Sequence, residues 1–199
     1  MIKNLTLSFL VTVSCFNFKI FAEDLSQFQL QPGFKIEIFA NDLDSPRQMA
    51  EGKNGTIFVG ERGGQIVALS DSDRNGQVDS KRVIAENLTY STGVSIFEGD
   101  LYFSEISKIW KIKGVESWLQ KNNSGLPEKI LVTDDLPDDK WHGWKWLRHD
   151  LKGAIYTNVG APCNSCLSEN LKYASILKLS GEKWEYVAKG VRNSVGFDF

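Results

Sequence analysis

Long apolar runs are missing from this 199-residue chain beyond its first two dozen positions. The run from Leu5 to Phe18 is broken by Thr, Ser, Cys and Asn and is too short to read as a membrane span. Helical periodicity is nearly absent as well: only Val115 to Lys121 carries it. There is no basic block, and 23 Lys and Arg against 25 Asp and Glu leave a formal charge of −2. That balance argues against a nucleic-acid partner. Cysteine is scarce, with three in the chain, and Cys15 sits in the N-terminal run. Cys163 and Cys166 then stand alone. They lack the second ligand pair that a structural zinc needs, and Leu167 stands where haem attachment would need histidine. A loop-stiffening disulfide or a redox pair remains. Only two histidines are present, His142 and His149.

What is present begins with an address. Lys3, a short apolar core and Ile20-Phe-Ala22 before Glu23-Asp24 describe a secretory signal peptide over residues 1–22, with cleavage after Ala22. The mature chain, 23–199, is then periplasmic or secreted and keeps no stable membrane span. Its apolar residues come in short alternating runs punctuated by turn signals, as in an all-β protein. Phe34 to Phe39 alternates with period two and reads as a strand.

The strands recur as a unit. Met49, Gly55, Ile57-Phe-Val59 and Ile66-Val-Ala-Leu69 make the first copy. Gly93 to Ile96, Gly99, Leu101-Tyr-Phe103 and Ile109 to Ile112 make the second, and Trp146-Leu147, Gly153, Ile155-Tyr-Thr157 and Ile176 to Leu179 the third. The turn glycines Gly55, Gly99 and Gly153 are 44 and 54 residues apart. Strand repeats of this length suggest propeller blades; an ordinary sandwich or barrel is the alternative. Gly196 to Phe199 resembles the opening strand of a fourth copy. Three blades and the start of a fourth do not close a ring, so the sequence reads as the N-terminal part of a β-propeller, apparently truncated.

Three stretches could carry chemistry. Asp134 to Trp146 is an acidic turn with Pro137 leading to His142, flanked by Trp141 and Trp144. An imidazole between indoles is a candidate base in a water-poor site; a surface turn before an aromatic strand is the plainer alternative. Asp71, Asp73, Asn75 and Asp79, with Gly76, place oxygen ligands at alternate positions, as in the first part of a calcium loop. The expected acidic residue at loop position twelve is Arg82, so a polar hairpin tip without metal stands beside the metal reading. Arg192-Asn193, just before the fourth unit, offers a fixed cation and an amide for carboxylate or quinone oxygens.

Several of these stretches together resemble the glucose/sorbosone dehydrogenase family of soluble quinoproteins, in particular its sorbosone-dehydrogenase-like branch. They are Leu30 to Ala40, Arg47-Gln-Met-Ala50, Val59-Gly-Glu-Arg-Gly-Gly64, Asp134 to Asp139, His142-Gly-Trp-Lys145, Val159 to Asn164 and Gly190 to Asp198, in the family's order. The resemblance implies a six-bladed β-propeller of which this chain is the N-terminal half. It also implies oxidation of a sugar or other aldehyde-like substrate, with pyrroloquinoline quinone accepting the hydride and calcium polarising the quinone. A downstream cytochrome or quinone would take the electrons onward. By the same resemblance Arg192 and Asn193 contact the quinone oxygens. The branch usually reads His-His-Gly-Trp-Lys with the base at the first histidine; here that position is Trp141 and the available histidine is His142. The resemblance therefore leaves two readings open: a dehydrogenase using His142, or a non-catalytic propeller that binds carbohydrate or protein.

Overall fold

The structure, a computed structural model, describes residues 25–121 and 123–199. The expected leader at 1–22 lies outside them. Residues 25–37 form a unit of their own: a short 3-10 turn at Leu25–Gln27, a turn closed by Phe34 N to Gln31 O at 3.1 Å, and a Lys35–Glu37 ion pair at 2.8 Å.

The second unit, from Ile38 onward, is three four-stranded antiparallel sheets. The first contains β1 (Pro46–Glu51), β2 (Ile57–Glu61), β3 (Gln65–Ser70) and β4 (Ser80–Ala85). The second contains β5 (Val94–Phe97), β6 (Asp100–Ser104), β7 (Ile109–Ile112) and β8 (Ile130–Thr133). The third contains β9 (Leu147–His149), β10 (Ile155–Val159), β11 (Ser175–Ser180) and β12 (Lys183–Lys189). Each sheet is a meander in chain order, and the chain is a β-propeller of which these are three blades. One helix, α1 (Val115–Gln120), bridges β7 and β8.

The apolar pattern accounts for the stacking. Alternate residues of a strand face opposite sides. Phe58, Ile66, Ala68 and Ile84 of the first blade meet Val94, Leu101, Phe103 and Ile112 of the second in one buried cluster. Ile109 of the second blade meets Leu147, Ile155, Leu177 and Leu179 of the third in another. Val59, Val67 and Leu69, on the first blade's other face, are covered by Phe39, Ala40 and Leu43.

That cover corrects the expectation for Phe34 to Phe39. The segment is not a strand. Phe39 accepts a single ladder-like bond, from Val78 N at 3.0 Å, and its neighbours act as a lid on the first blade. Period two gives an extended backbone, but a strand also needs a partner for its amides. Gly196 to Phe199 is likewise extended without being a strand. It is fastened by Trp146 Nε1 to Phe197 O at 3.2 Å and by Arg148 to Asp198 at 2.6 Å, so it flanks β9 as a further inner segment.

The blades are joined at their inner strands by side chains. Gln48 of β1 is 2 % exposed. Its Oε1 accepts from Val94 N at 3.1 Å and Leu147 N at 3.0 Å, and its Nε2 donates to Leu147 O at 2.7 Å. One amide thus holds β1, β5 and β9 together. Gly93 permits the close approach, since a Cβ there would stand 2.5 Å from Lys145 O and 2.7 Å from Ser104 Oγ.

Between the second and third blades lies His149. Its ring stacks on Phe97 with centroids 5.3 Å apart and tilts against Tyr102 at 4.4 Å, while Nδ1 pairs with Ser95 Oγ at 2.8 Å. Nε2 is buried without a partner, and burial lowers its pKa to about 4, opposed in part by the nearby Asp150 charge. Between pH 6.5 and 4 the unfolded chain takes up a proton that the folded chain refuses. Stability contributed by this site is therefore present above pH 6.5 and lost as pH falls through the window, by about 2 kcal/mol after a discount for partial exposure. Urea melts at stepped pH check this: His149→Phe should flatten the acid limb, and an unchanged limb would place the acid sensitivity elsewhere.

Candidate functional site

The antiparallel topology sorts the loops between two ends of the blades. The blade-to-blade connections 86–93, 134–146 and 190–195 share one end with the hairpin loops 62–64, 105–108 and 160–174. The stretches read as chemical, apart from the Asp71 loop, gather there. Where the inner strands begin, a cavity of about 350 Å³ is walled by Arg47, Gln48, Thr92, Trp144, Lys145 and Asn193, among others. Its size falls in the ordinary range for small-molecule sites.

Lys145 is the unusual wall. It is 3 % exposed, and its Nζ donates to Gly143 O at 2.6 Å. No carboxylate pairs with it among the described residues. Burial pulls its pKa down from 10.5 to about 7, with the Asp139 charge acting the other way. Desolvation disfavours the charged amine, so it titrates near neutrality. An anion entering the cavity would supply the countercharge that the fold withholds. Arg47 and Arg62 both lie over the Trp144 ring, 4.5 and 5.0 Å from its centroid.

The 138–146 connection is folded back on itself. Gly143 packs so closely on Asp139 O that a side chain would collide with it. His142 takes φ +48, the left-handed region that a non-glycine residue adopts only where the surroundings impose it. The turn thus sets the direction of the His142 ring. His142 Nδ1 lies 2.8 Å from Ala161 O. A carbonyl only accepts, so Nδ1 carries a hydrogen, and in the neutral ring the lone pair is on Nε2. Gly160 makes room, because a Cβ there would sit 2.5 Å from that of His142. The ring stands outside the set of side chains walling the cavity. Trp141, 53 % exposed, meets it edge-on at 5.5 Å.

Ala161 ties this histidine to the Arg-Asn pair, since its N–H donates to Arg192 O at 2.8 Å. Asn193 lines the cavity; the Arg192 guanidinium instead bonds Asn164 Oδ1 on the disulfide loop closed by Cys163 and Cys166. His142, Arg192 and Asn193 are therefore brought to one neighbourhood. The Asp71 loop is not: β3 and β4 carry it to the opposite end of the blade. There the carboxylates of Asp71, Asp73 and Asp79 converge within 4.8 Å of one another. Asp71 also accepts from Asn75 N and Gly76 N at 3.1 and 2.9 Å; Asp79 accepts from Ser72 Oγ and, at 2.6 Å, from Ser72 N, and these bonds, the hydroxyl's first, lower the Asp79 pKa. Arg82 is turned away, over Trp118 at 4.2 Å.

Lys145 and Arg47 carry no chemical signal as site residues in the sequence, although each sits inside a stretch of the family resemblance. A lone Lys or Arg in a strand-rich sequence defaults to the surface, and only the fold shows that Lys145 is buried.

Comparison with known proteins adds the following. A family described as a domain of unknown function (DUF7133) matches residues 21–117. An uncharacterized protein of Borreliella burgdorferi is 32 % identical over 190 residues, covering 90 % of this chain and 48 % of that protein. The chain thus spans about half the length of the curated relative it matches. Among solved structures, the holo PQQ domain of pyranose dehydrogenase from Coprinopsis cinerea superposes with a TM-score of 0.66 at 18 % identity, over 77 % of this chain and 41 % of that one. The PQQ-bound aldose sugar dehydrogenase of Streptomyces coelicolor gives 0.50 at 15 %, over 74 % and 48 %. At such identities the likeness establishes the shared fold. Among the described residues no helix is long and apolar enough to cross a membrane.

Proposed function

We propose that the complete protein is a quinone-dependent oxidoreductase that oxidises a sugar or aldose-like substrate, with pyrroloquinoline quinone in the cavity at the inner-strand ends. The observation that carries this is Lys145, a buried amine with no carboxylate partner among the described residues, in the wall of a ligand-sized cavity. A planar polycarboxylate fits that wall: Lys145 and Arg47 for its charge, Trp144 for its face and Asn193 for a carbonyl oxygen. When bound, the quinone supplies the two-electron acceptor. His142 then holds the substrate's hydroxyl proton at Nε2, with Ala161 O fixing the ring. Arg192 contributes positive potential from its position on Asn164. Two of the fold relatives, a PQQ domain and a PQQ-bound sugar dehydrogenase, agree with this reading. Secretion to a periplasmic or extracellular space belongs to the same proposal.

Reconstitution tests it. Purified complete protein is titrated with pyrroloquinoline quinone and calcium, and cofactor absorbance is followed on adding an aldose panel. Binding with reduction is expected, and His142→Ala should then lower kcat by about 10²–10⁴ with cofactor affinity retained. Absence of binding would leave a shared fold and nothing more.

Binding without reduction would favour a second reading, a carbohydrate-binding propeller without turnover. The exposed Trp141 beside His142 is the observation behind it. Calcium is a separate question. The Asp71, Asp73, Asn75 and Asp79 oxygens fit a hard cation in chemistry but stand at the far end of the blade. Calcium added to cofactor-free protein should raise Tm if they bind it, and Asp73→Asn should cancel the rise; no rise leaves a self-bonded polar hairpin.

A further inference from the structure

Next to Trp144 of the cavity wall stands a second group of cations. Arg62, from the β2–β3 turn, lies over two rings at once: Trp144 at 5.0 Å and Tyr90 at 5.5 Å. Lys140, from the folded 138–146 connection, lies over Tyr90 at 5.9 Å. Arg47 lies over Trp144 from the start of β1. These side chains come from different elements and converge on two aromatic rings. Tyr90 is in a left-handed conformation, with φ +53.

None of Arg47, Arg62 or Lys140 has a carboxylate ion-pair partner among the described residues. Two of the nearby acids are engaged elsewhere, while the Asp44 carboxylate packs on Gly63 beside Arg62. Glu61 is 1 % exposed and serves Asp44 N and Lys81, while Asp139 accepts from Tyr173 Oη. On a chain with a net negative formal charge, an unpaired cationic rim is a departure from the average surface. Cations parked on aromatic faces keep outward donors available, which suits a planar carboxylate. The exposed Trp141 adds a flat apolar face on the same connection as Lys140.

We infer that Arg62 and Lys140, over Tyr90 and Trp144, form an outer subsite for the carboxylate of an acidic saccharide, so that the substrate class is uronic-acid-like rather than neutral sugar. The inference rests on the proposed quinone chemistry for its catalytic meaning, while binding at the rim stands independently of it. Carboxylate is the shared chemistry of an acidic sugar and of the quinone cofactor, and the test separates them.

The complete protein, first cofactor-free and then saturated with pyrroloquinoline quinone, is titrated calorimetrically with D-galacturonate and with D-galactose. Galacturonate should bind about tenfold more tightly, and the advantage should disappear at high salt. Arg62→Gln with Lys140→Gln should weaken galacturonate about tenfold and leave galactose and quinone affinity unchanged, with Tm recorded to confirm folding. Equal affinity for the two sugars, or no galacturonate binding, overturns the inference. So does displacement of galacturonate by the quinone, because the rim would then serve the cofactor. Charge-selective sugar binding by a protein that fails to take up the quinone would support the rim and sink the dehydrogenase reading.

Discussion

Replacing Gln48 by Leu should lower the unfolding free energy by about 4 kcal/mol, the largest loss expected from one substitution here. The volume is nearly conserved, so little of the cost is a cavity. It comes from three backbone groups. Val94 N–H, Leu147 N–H and Leu147 C=O, on residues that are fully buried, all lose their partner. A buried polar group left unpaired costs roughly 1–3 kcal/mol. The penalty is shared by three blades, so the whole unit should melt earlier in one cooperative step. Urea unfolding followed by tryptophan fluorescence measures it. A shift below about 1 kcal/mol would mean that water replaces the amide and that Gln48 is not a clamp.

Lys145→Met should act with opposite signs on stability and on binding. With its pKa lowered to about 7, the native amine is mostly neutral at pH 9, while the unfolded lysine stays charged up to about 10.5. The unfolded state binds the extra proton throughout that window, so stability rises with pH from 7 toward 10. From pH 7 to 9.5 the gain is about 3 kcal/mol at most. The methionine variant removes that slope. At pH 7 it should be more stable by about 2 kcal/mol, the relief of desolvation exceeding the lost bond to Gly143 O. Cofactor affinity should fall at least about tenfold, since the buried countercharge is gone. Paired melts at pH 7 and 9.5 and a quinone titration read both effects. A variant that binds the quinone as well as the parent would remove Lys145 from the site.

Such a residue shows where sequence reading stops. The repeat was legible because its inner three strands carry alternation and turn glycines: Gly55, Gly99 and Gly153 fall in the three hairpins between first and second strands. The fourth strands were not. β4, β8 and β12 lie at the outer edge, and β12 is exposed at most of its length, so no apolar period marks them. His142, Arg192 and Asn193 stand out by motif as candidates, yet the bond network that relates them runs through Ala161, a backbone contribution that no side-chain pattern announces. The rim is invisible for a similar reason. Arg62, Tyr90, Lys140 and Trp144 are spread along the chain, and only the antiparallel topology returns their loops to one end.

The order of the strands also carries a kinetic meaning. Every ladder joins strands that are consecutive in the chain, so each sheet can form from contacts of short loop length. Loop closure of that kind is fast and costs little entropy. The contacts between sheets are another matter: Gln48 and Leu147 are 99 residues apart. Docking of the sheets therefore carries the larger loop-closure cost. Its long-range contacts converge on a few inner-strand groups, Gln48 among them.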